Sequence, residues 1–304
     1  RLATHDKADF IIAPYGTGLN LAVAPVFAKY GYPQLAVSAI TDKGPELTKR
    51  YPTLFFTLGS TTAFANSVAD ILKKLVDEGK IGKRVAMVNV ADAFGIELAE
   101  AARPIFKRHG LELVYDKSYP LGTQDLAPVM KGAKATNPDA FVAWSYPPDT
   151  FALAELAKIE GLNVKAYYSA VATCFPAFGA KYGKSAENVL GAGGINPDAP
   201  EMKGYFESHK KATGVDADYW AGPVTYASLQ VLEQAIEGTG GVDKAAVTDF
   251  IKKGSFKTVL GNWTFKNQII ENYWTVGQWQ GGKFVGVAST GKPGERPVQL
   301  KTGW

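Results

Sequence analysis

The sequence predicts an α/β protein built on parallel strands, and three stretches carry that expectation. In each, a short β-branched or apolar run passes through a Gly, Pro or Asp loop into a run with helical periodicity. Residues 9–18 (DFIIAPYGTG) lead to 19–31 (LNLAVAPVFAKYG), and 83–95 (KRVAMVNVADAFG) lead to 96–110 (IELAEAARPIFKRHG). Residues 139–149 (DAFVAWSYPPD) then lead to 150–161 (TFALAELAKIEG). Each helical run ends near a Gly, the residue that most easily takes the left-handed turn beyond a helix. Strands that alternate with helices in this way form a parallel sheet with the helices outside it.

Between these units lie shorter strand candidates: 33–38 (PQLAVS), 53–58 (TLFFTL), 111–119 (LELVYDKSY), 164–171 (VKAYYSAV) and 187–195 (ENVLGAGGI). A helical block follows, from 200–214 (PEMKGYFESHKKATG) through 223–238 (PVTYASLQVLEQAIEG) to 244–254 (KAAVTDFIKKG). Near the end, 273–289 (YWTVGQWQGGKFVGVAS) alternates apolar and polar residues around a Gly pair, which predicts a hairpin. No low-complexity linker divides the chain, although 304 residues suggest about two domains. Several crossings between two lobes would account for that.

Composition excludes several classes. Hydrophobic residues make up 46% and charged residues 20%, as in an ordinary globular chain with ample core. The net charge of +4 comes from scattered Lys and Arg, which gives a nucleic-acid surface no support. No apolar run reaches the roughly 18 residues of a membrane span, so direct membrane insertion is not expected. Cys174 is the only cysteine, which rules out an intrachain disulfide and a cysteine-based metal cluster. The opening residues, RLATHDKADF, carry no signal-peptide pattern.

In open parallel sheets ligands gather beyond the carboxyl ends of the strands, so the loops PYGTG, ADAFG and SYPPD are the places to look. Thr17, beside Tyr15 in the first loop, sits where a helix N-cap would. The amides of Gly18, Leu19 and Asn20 after it are the unpaired donors of a helix start. Those donors and the helix dipole favour an anion such as a carboxylate, which the Thr17 hydroxyl would also meet. The plain alternative is that Thr17 only caps its helix. Ser38, Ala39 and Thr41 add small donors after the next strand, although such residues are also ordinary turn formers. Phe94 and Tyr146 stand at strand ends where aromatic rings suit a pocket for a small flat ligand, with core packing as the other reading. Trp144 reads as core, and Asp149 as the cap of the helix from Thr150.

Catalytic patterns are missing. His5, His109 and His209 are far apart, with no HxxH or HExxH spacing, and there is no GxSxG elbow or GxxxxGK loop. The GAGG at residues 191–194 is followed by INPDAPE, so it is no dinucleotide fingerprint. Cys174 has no base partner in sequence and reads as a small buried residue. No enzymatic activity, metal or cofactor is expected.

These residues resemble a family. Residues 9–41, 83–101, 137–163 and 273–287, in this order over nearly the whole chain, are similar to branched-chain amino-acid type solute-binding proteins of ABC importers. The resemblance implies the type I periplasmic-binding fold: two lobes, each a parallel sheet flanked by helices, joined by three crossovers, with ligand held in the cleft between them. It implies a periplasmic or tethered extracellular location, a membrane permease as partner and a monomer. It matches Thr17 to the hydroxyl that holds the ligand carboxylate. Ser38, Ala39 and Thr41 match the second ligand loop, with a one-residue insertion. Phe94, and Tyr146 or its neighbour Pro147, match cleft-lining positions.

Two departures stand out. Amino-acid binders of this family carry an acid in the loop that here reads YSAVATCF, where Val171 takes the matching position. A buried ammonium without a counter-charge costs several kcal/mol, which disfavours an α-amino acid unless Asp149 or Asp92 reaches in. Family members also begin with a strand-helix-strand segment that this chain lacks, so a preceding segment is expected to be missing. The sequence therefore predicts a solute-binding protein for a small organic carboxylate, an aromatic acid, with branched-chain or aromatic amino acids as the alternative. An α/β enzyme or a sensory ligand-binding domain are the alternatives of another class. Lobe 1 is expected at 1–57 and 193–262, and lobe 2 at 58–192 and 263–304.

Overall fold

A computed structural model describes all residues, Arg1–Trp304. The chain opens with α1 (Thr17–Lys29), β1 (Gln34–Ala36), α2 (Gly44–Arg50) and β2 (Leu54–Phe56). It continues through α3 (Thr61–Asp77), β3 (Arg84–Val90), α4 (Ala93–Arg108), β4 (Glu112–Tyr119), α5 (Ala127–Ala135) and β5 (Ala140–Trp144). Next come α6 (Pro147–Glu160), β6 (Ala166–Ser169), α7 (Pro176–Tyr182), β7 (Leu190–Ala192), α8 (Pro200–Thr213), α9 (Ala221–Thr239) and α10 (Lys244–Lys253). The last strands are β8 (Ser255–Thr258), β9 (Gly261–Lys266), β10 (Ile269–Ile270), β11 (Trp274–Gln280) and β12 (Lys283–Ser289).

Two sheets result. The first has the order β1-β2-β10-β9-β8 and the second β12-β11-β7-β6-β5-β3-β4. In the second, β7, β6, β5, β3 and β4 run parallel, and the predicted hairpin β11–β12 adds antiparallel strands beside β7. Helices cover both faces of the parallel part, so β5 and β6 are buried at every position and β3 at all but its first. This sheet supplies most of a large continuous core that includes Met87, Phe106, Phe141, Trp144 and Tyr167.

The first sheet departs from the expected parallel one. Only β1–β2 and β2–β10 pair in parallel, while β10, β9 and β8 form an antiparallel meander. Its tight turn places Asn267 and Gln268 at φ 51° and 66°, the twist that two-residue hairpin loops require. The strand-like run at residues 10–13 forms no strand. Phe10 packs on the core while Ile12 stays 63% exposed, and the segment joins neither sheet.

The strand pairing also moves two lobe limits drawn from sequence. Trp263–Ile270 belong to the first sheet, so the last crossing falls at Glu271–Tyr273 and not at 262/263. The stretch after β7 stays on the second sheet: the Gly193 amide donates to the Thr275 carbonyl, Asp198 pairs with Lys283 at 3.3 Å, and Tyr219 meets Trp279 edge-on. The chain reaches the first lobe only with α9, which packs on β8. That passage explains GAGG. Gly194 has φ 102°, and a Cβ there would lie 2.9 Å from Gly286 Cα and 3.0 Å from Gly277 Cα. Crossing chain and hairpin thus touch backbone to backbone.

Gly194→Ala is therefore expected to cost about 2–3 kcal/mol, from left-handed backbone and overpacking together. Urea unfolding measures it, and a loss below ~1 kcal/mol contradicts this account of the crossing.

Candidate functional site

The carboxyl ends of the parallel strands in both lobes face a common seam, where α1, α4 and α6 all begin. Helix α1 starts differently from expectation. Its N-cap is Gly16, with φ 89° and no side-chain cap, and Thr17 is the first helical residue. Thr17 is 1% exposed, and its hydroxyl donates to the Ile40 carbonyl at 3.3 Å and accepts from the Ile40 amide at 3.2 Å. Ser38 Oγ accepts from the Gly16 amide at 3.0 Å and donates to the Pro14 carbonyl at 3.2 Å. Thr41 Oγ1 donates to Glu97 of α4 and accepts from the Lys43 amide at 3.1 Å. All three hydroxyls are thus engaged within the protein. Ala39, fully buried, closes the turn through its amide to Ala36. The amides of Thr17, Gly18 and Leu19 donate to no protein acceptor, and the first turn of α1 holds no acid.

The second lobe meets this turn directly. A Cβ on Gly18 would lie 3.9 Å from the Ala93 Cβ at the start of α4, and one on Gly16 would lie 3.5 Å from the Tyr146 hydroxyl. Tyr146 is the N-cap of α6, followed by Pro147 at N1, whose missing N–H is no loss there. The Tyr146 ring stacks on Phe94 with centroids 5.0 Å apart and lies 6.0 Å from the Tyr15 ring. Its hydroxyl donates to Asp92 Oδ2 at 2.8 Å, while Asp92 Oδ1 accepts from the Gly95 amide at 2.9 Å as the cap of α4. Asp149 lies inside α6 at its third position, not at the cap, and accepts from the Tyr146 amide at 3.4 Å.

Val171 is buried, and its amide donates to the Ser145 carbonyl at the end of β5. The next residue, Ala172, has φ 72°, a left-handed conformation that costs a residue with a Cβ about 1–2 kcal/mol. Such strain is held by its surroundings and marks a loop whose shape is fixed. Trp144 is core: it is fully buried and donates to Met87 Sδ at 3.3 Å.

Burial sets the electrostatics. The Tyr15 phenol is pushed up to about 12 by desolvation first, then by Cys174 and Asp92, although 52% of the residue remains accessible. Desolvation, reinforced by the bond to Asp92, also raises Tyr146. Asp149 is raised by burial against the lowering effect of its amide contact. Around the aromatic pair the ionisable groups are carboxyls, phenols and the buried thiol of Cys174, which desolvation raises well above its usual range. No group of three His, Cys, Asp or Glu side chains is placed to hold a metal ion.

Two residues were undervalued in the sequence. Asp92 stands in the seam between Tyr146 and the start of α4, and Glu97, a turn further along, reaches the other lobe. For Asp92 the signal was present in ADAFG, an acid three residues before a Gly at a strand-to-helix junction. Nothing local singled out Glu97.

A family model described as periplasmic binding protein matches residues 1–283. The Leu/Ile/Val-binding protein homolog 7 of Brucella suis biovar 1 (strain 1330) is 25% identical over 308 residues, covering 94% of this chain and 76% of its own length. Among solved structures, the leucine-binding protein LivK of Thermotoga maritima superposes with a TM-score of 0.81 at 19% identity, over 95% of this chain and 82% of that one. A solute-binding protein of an ABC transporter from R. palustris, in complex with benzoate, reaches a TM-score of 0.81 at 16% identity, over 98% and 82%. With two sheets, a seam of helix starts and a family match over nearly its whole length, this chain belongs to the periplasmic binding protein family.

Proposed function

We propose that this protein captures a small organic carboxylate, an aromatic acid, in the seam between its lobes and delivers it to the membrane permease of an ABC importer. The observation that carries this reading is the bare start of α1. Among the helices that begin in the seam, α3 is capped by Ser60, α4 by Asp92, and α6 carries Asp149 in its first turn, whereas α1 has neither a capping side chain nor an acid in its first turn. Its three free amides and positive dipole end are the donors left for a carboxylate. Thr17 and Ser38 act one step back, holding the loop that presents those amides. Phe94 and Tyr146 form the stacked wall for a ring, and the rings of Tyr15 and Tyr146 face each other across the lobes.

Val171 gives the wall an apolar residue in the loop where an ammonium partner was looked for. Binding closes the lobes because only the closed state brings the α1 amides and the aromatic wall to the same guest. The protein works outside the cytoplasmic membrane, as a monomer and without catalysis. No helix is long and apolar enough to cross a membrane.

One observation favours a second reading, an α-amino acid. Asp92 carries an ionisable carboxyl a single phenol away from the α1 turn, where a guest ammonium could meet it.

Calorimetric titration with benzoate, 4-hydroxybenzoate, leucine and phenylalanine decides between them. Micromolar or tighter binding of an aromatic acid with no heat from leucine is expected, and the reverse result overturns the ligand class. Gly18→Asp puts a negative charge on the anion turn and is expected to weaken binding at least ~100-fold while leaving the melting temperature within a few degrees. Asp92→Asn keeps the cap of α4 and is expected to change affinity for an aromatic acid less than about threefold. A loss of two orders of magnitude there supports the amino-acid reading.

A further inference from the structure

We propose that Glu97 is an inter-lobe latch, a positioning residue that holds the closed arrangement with a protein carboxylate and sets how readily the lobes part. Glu97 lies on α4, against the second sheet, and reaches the loop that leaves β1 of the first. Its Oε1 accepts from the Asp42 amide at 2.7 Å and from the Thr41 hydroxyl at 2.9 Å, and its Oε2 accepts from the same hydroxyl at 3.0 Å. Thr61, at the start of α3, donates to Oε1 at 3.4 Å. The contact is answered from the other side. Asp42 accepts from the Thr62 amide at 3.0 Å and from the Thr62 hydroxyl at 2.6 Å. Two carboxylates therefore reach across one seam in opposite directions, each taking an amide and a hydroxyl.

Three features make this a device for closure. Bonds to an ionised acceptor are roughly twice as strong as neutral ones, and Thr41 is only 2% exposed, so water competes weakly at that end. The bonded atoms belong to different lobes, so hinge opening stretches these bonds together and hands the donors to water. The Thr41 hydroxyl gives its one proton to Glu97, so it has no proton left to donate to a guest carboxylate. The latch thus commits that hydroxyl to an internal contact across the seam. It raises the closed fraction before any ligand arrives, and apparent affinity scales with that fraction.

The test needs no ligand. Nitroxide labels on Lys29→Cys, at the exposed end of α1, and Lys158→Cys, at the exposed end of α6, report the distance between lobes in ligand-free protein, with Cys174 buried and unlabelled. By pulsed electron spin resonance, Glu97→Ala and Thr41→Val are each expected to lower the closed-to-open ratio about tenfold, the scale of a bond to a charged group. The double variant should go no further than Glu97→Ala, because that change already removes the Thr41 contact along with the Asp42 amide bond. Glu97→Gln, which keeps the size of the side chain, should fall between wild type and Glu97→Ala. Circular dichroism checks that each variant is folded. Distance distributions identical to wild type in the folded Glu97→Ala and Glu97→Gln variants overturn the proposal and make the contact a fixed anchor beside the hinge. Additive effects in the double variant overturn the pairing with Thr41.

Discussion

Parallel strands impose a single electrostatic constraint on this molecule. A helix that returns from the carboxyl end of such a strand begins there, as α4 and α6 do after β3 and β5; α1 follows the unpaired run at residues 10–13 but starts beside them, a Cβ on Gly18 lying 3.9 Å from the Ala93 Cβ. Like dipole ends crowd one region, and each must be answered by water, a side chain or a guest. Asp92 and Asp149 answer two of them. The start of α1 stays open, and the binding proposal follows from that asymmetry.

The same constraint explains where the short polar side chains went. A loop that must hold three bare amides in place cannot be loose, and Thr17 and Ser38 stiffen it by bonding to Ile40, Pro14 and the Gly16 amide. Rigid donors lose little entropy when an anion arrives, which favours affinity over a hydroxyl that must first be ordered. Across the seam Tyr146 plays the corresponding part. Its hydroxyl is oriented by Asp92, its ring by Phe94, and its backbone amide by Asp149. The Tyr146–Asp92 bond is part-buried, and Asp92 pairs with no Lys or Arg.

Much of the architecture was legible because it rests on local pattern. The β3–α4 and β5–α6 units and the β11–β12 hairpin follow from periodicity, a loop and a terminal Gly, and these form where they were expected. Helix α3 went unremarked although the strand candidate TLFFTL and a Gly-Ser loop precede it and Ser60 caps it through the Ala63 amide. The β8–β10 meander was overlooked too. Its turn uses Asn267 and Gln268, not a Gly pair, and its strand faces alternate too briefly to register. Residues 10–13 had the composition of a strand, but a strand needs an aligned partner as well as propensity.

Local chemistry, then, was enough to place the β3–α4 and β5–α6 units and the final hairpin, since these depend on neighbours a few residues away. Which hydroxyl bonds to which atom is another matter. Thr17 and Ile40 are 23 residues apart, Thr41 and Glu97 are 56 apart, and Tyr146 and Asp92 are 54 apart. A side chain with one proton to donate satisfies whichever acceptor the packing of two sheets brings within 3 Å, and only the assembled lobes fix that choice. Hence the proposed anion site keeps the backbone amides read from the sequence and loses the Thr17 hydroxyl, which the fold commits to Ile40.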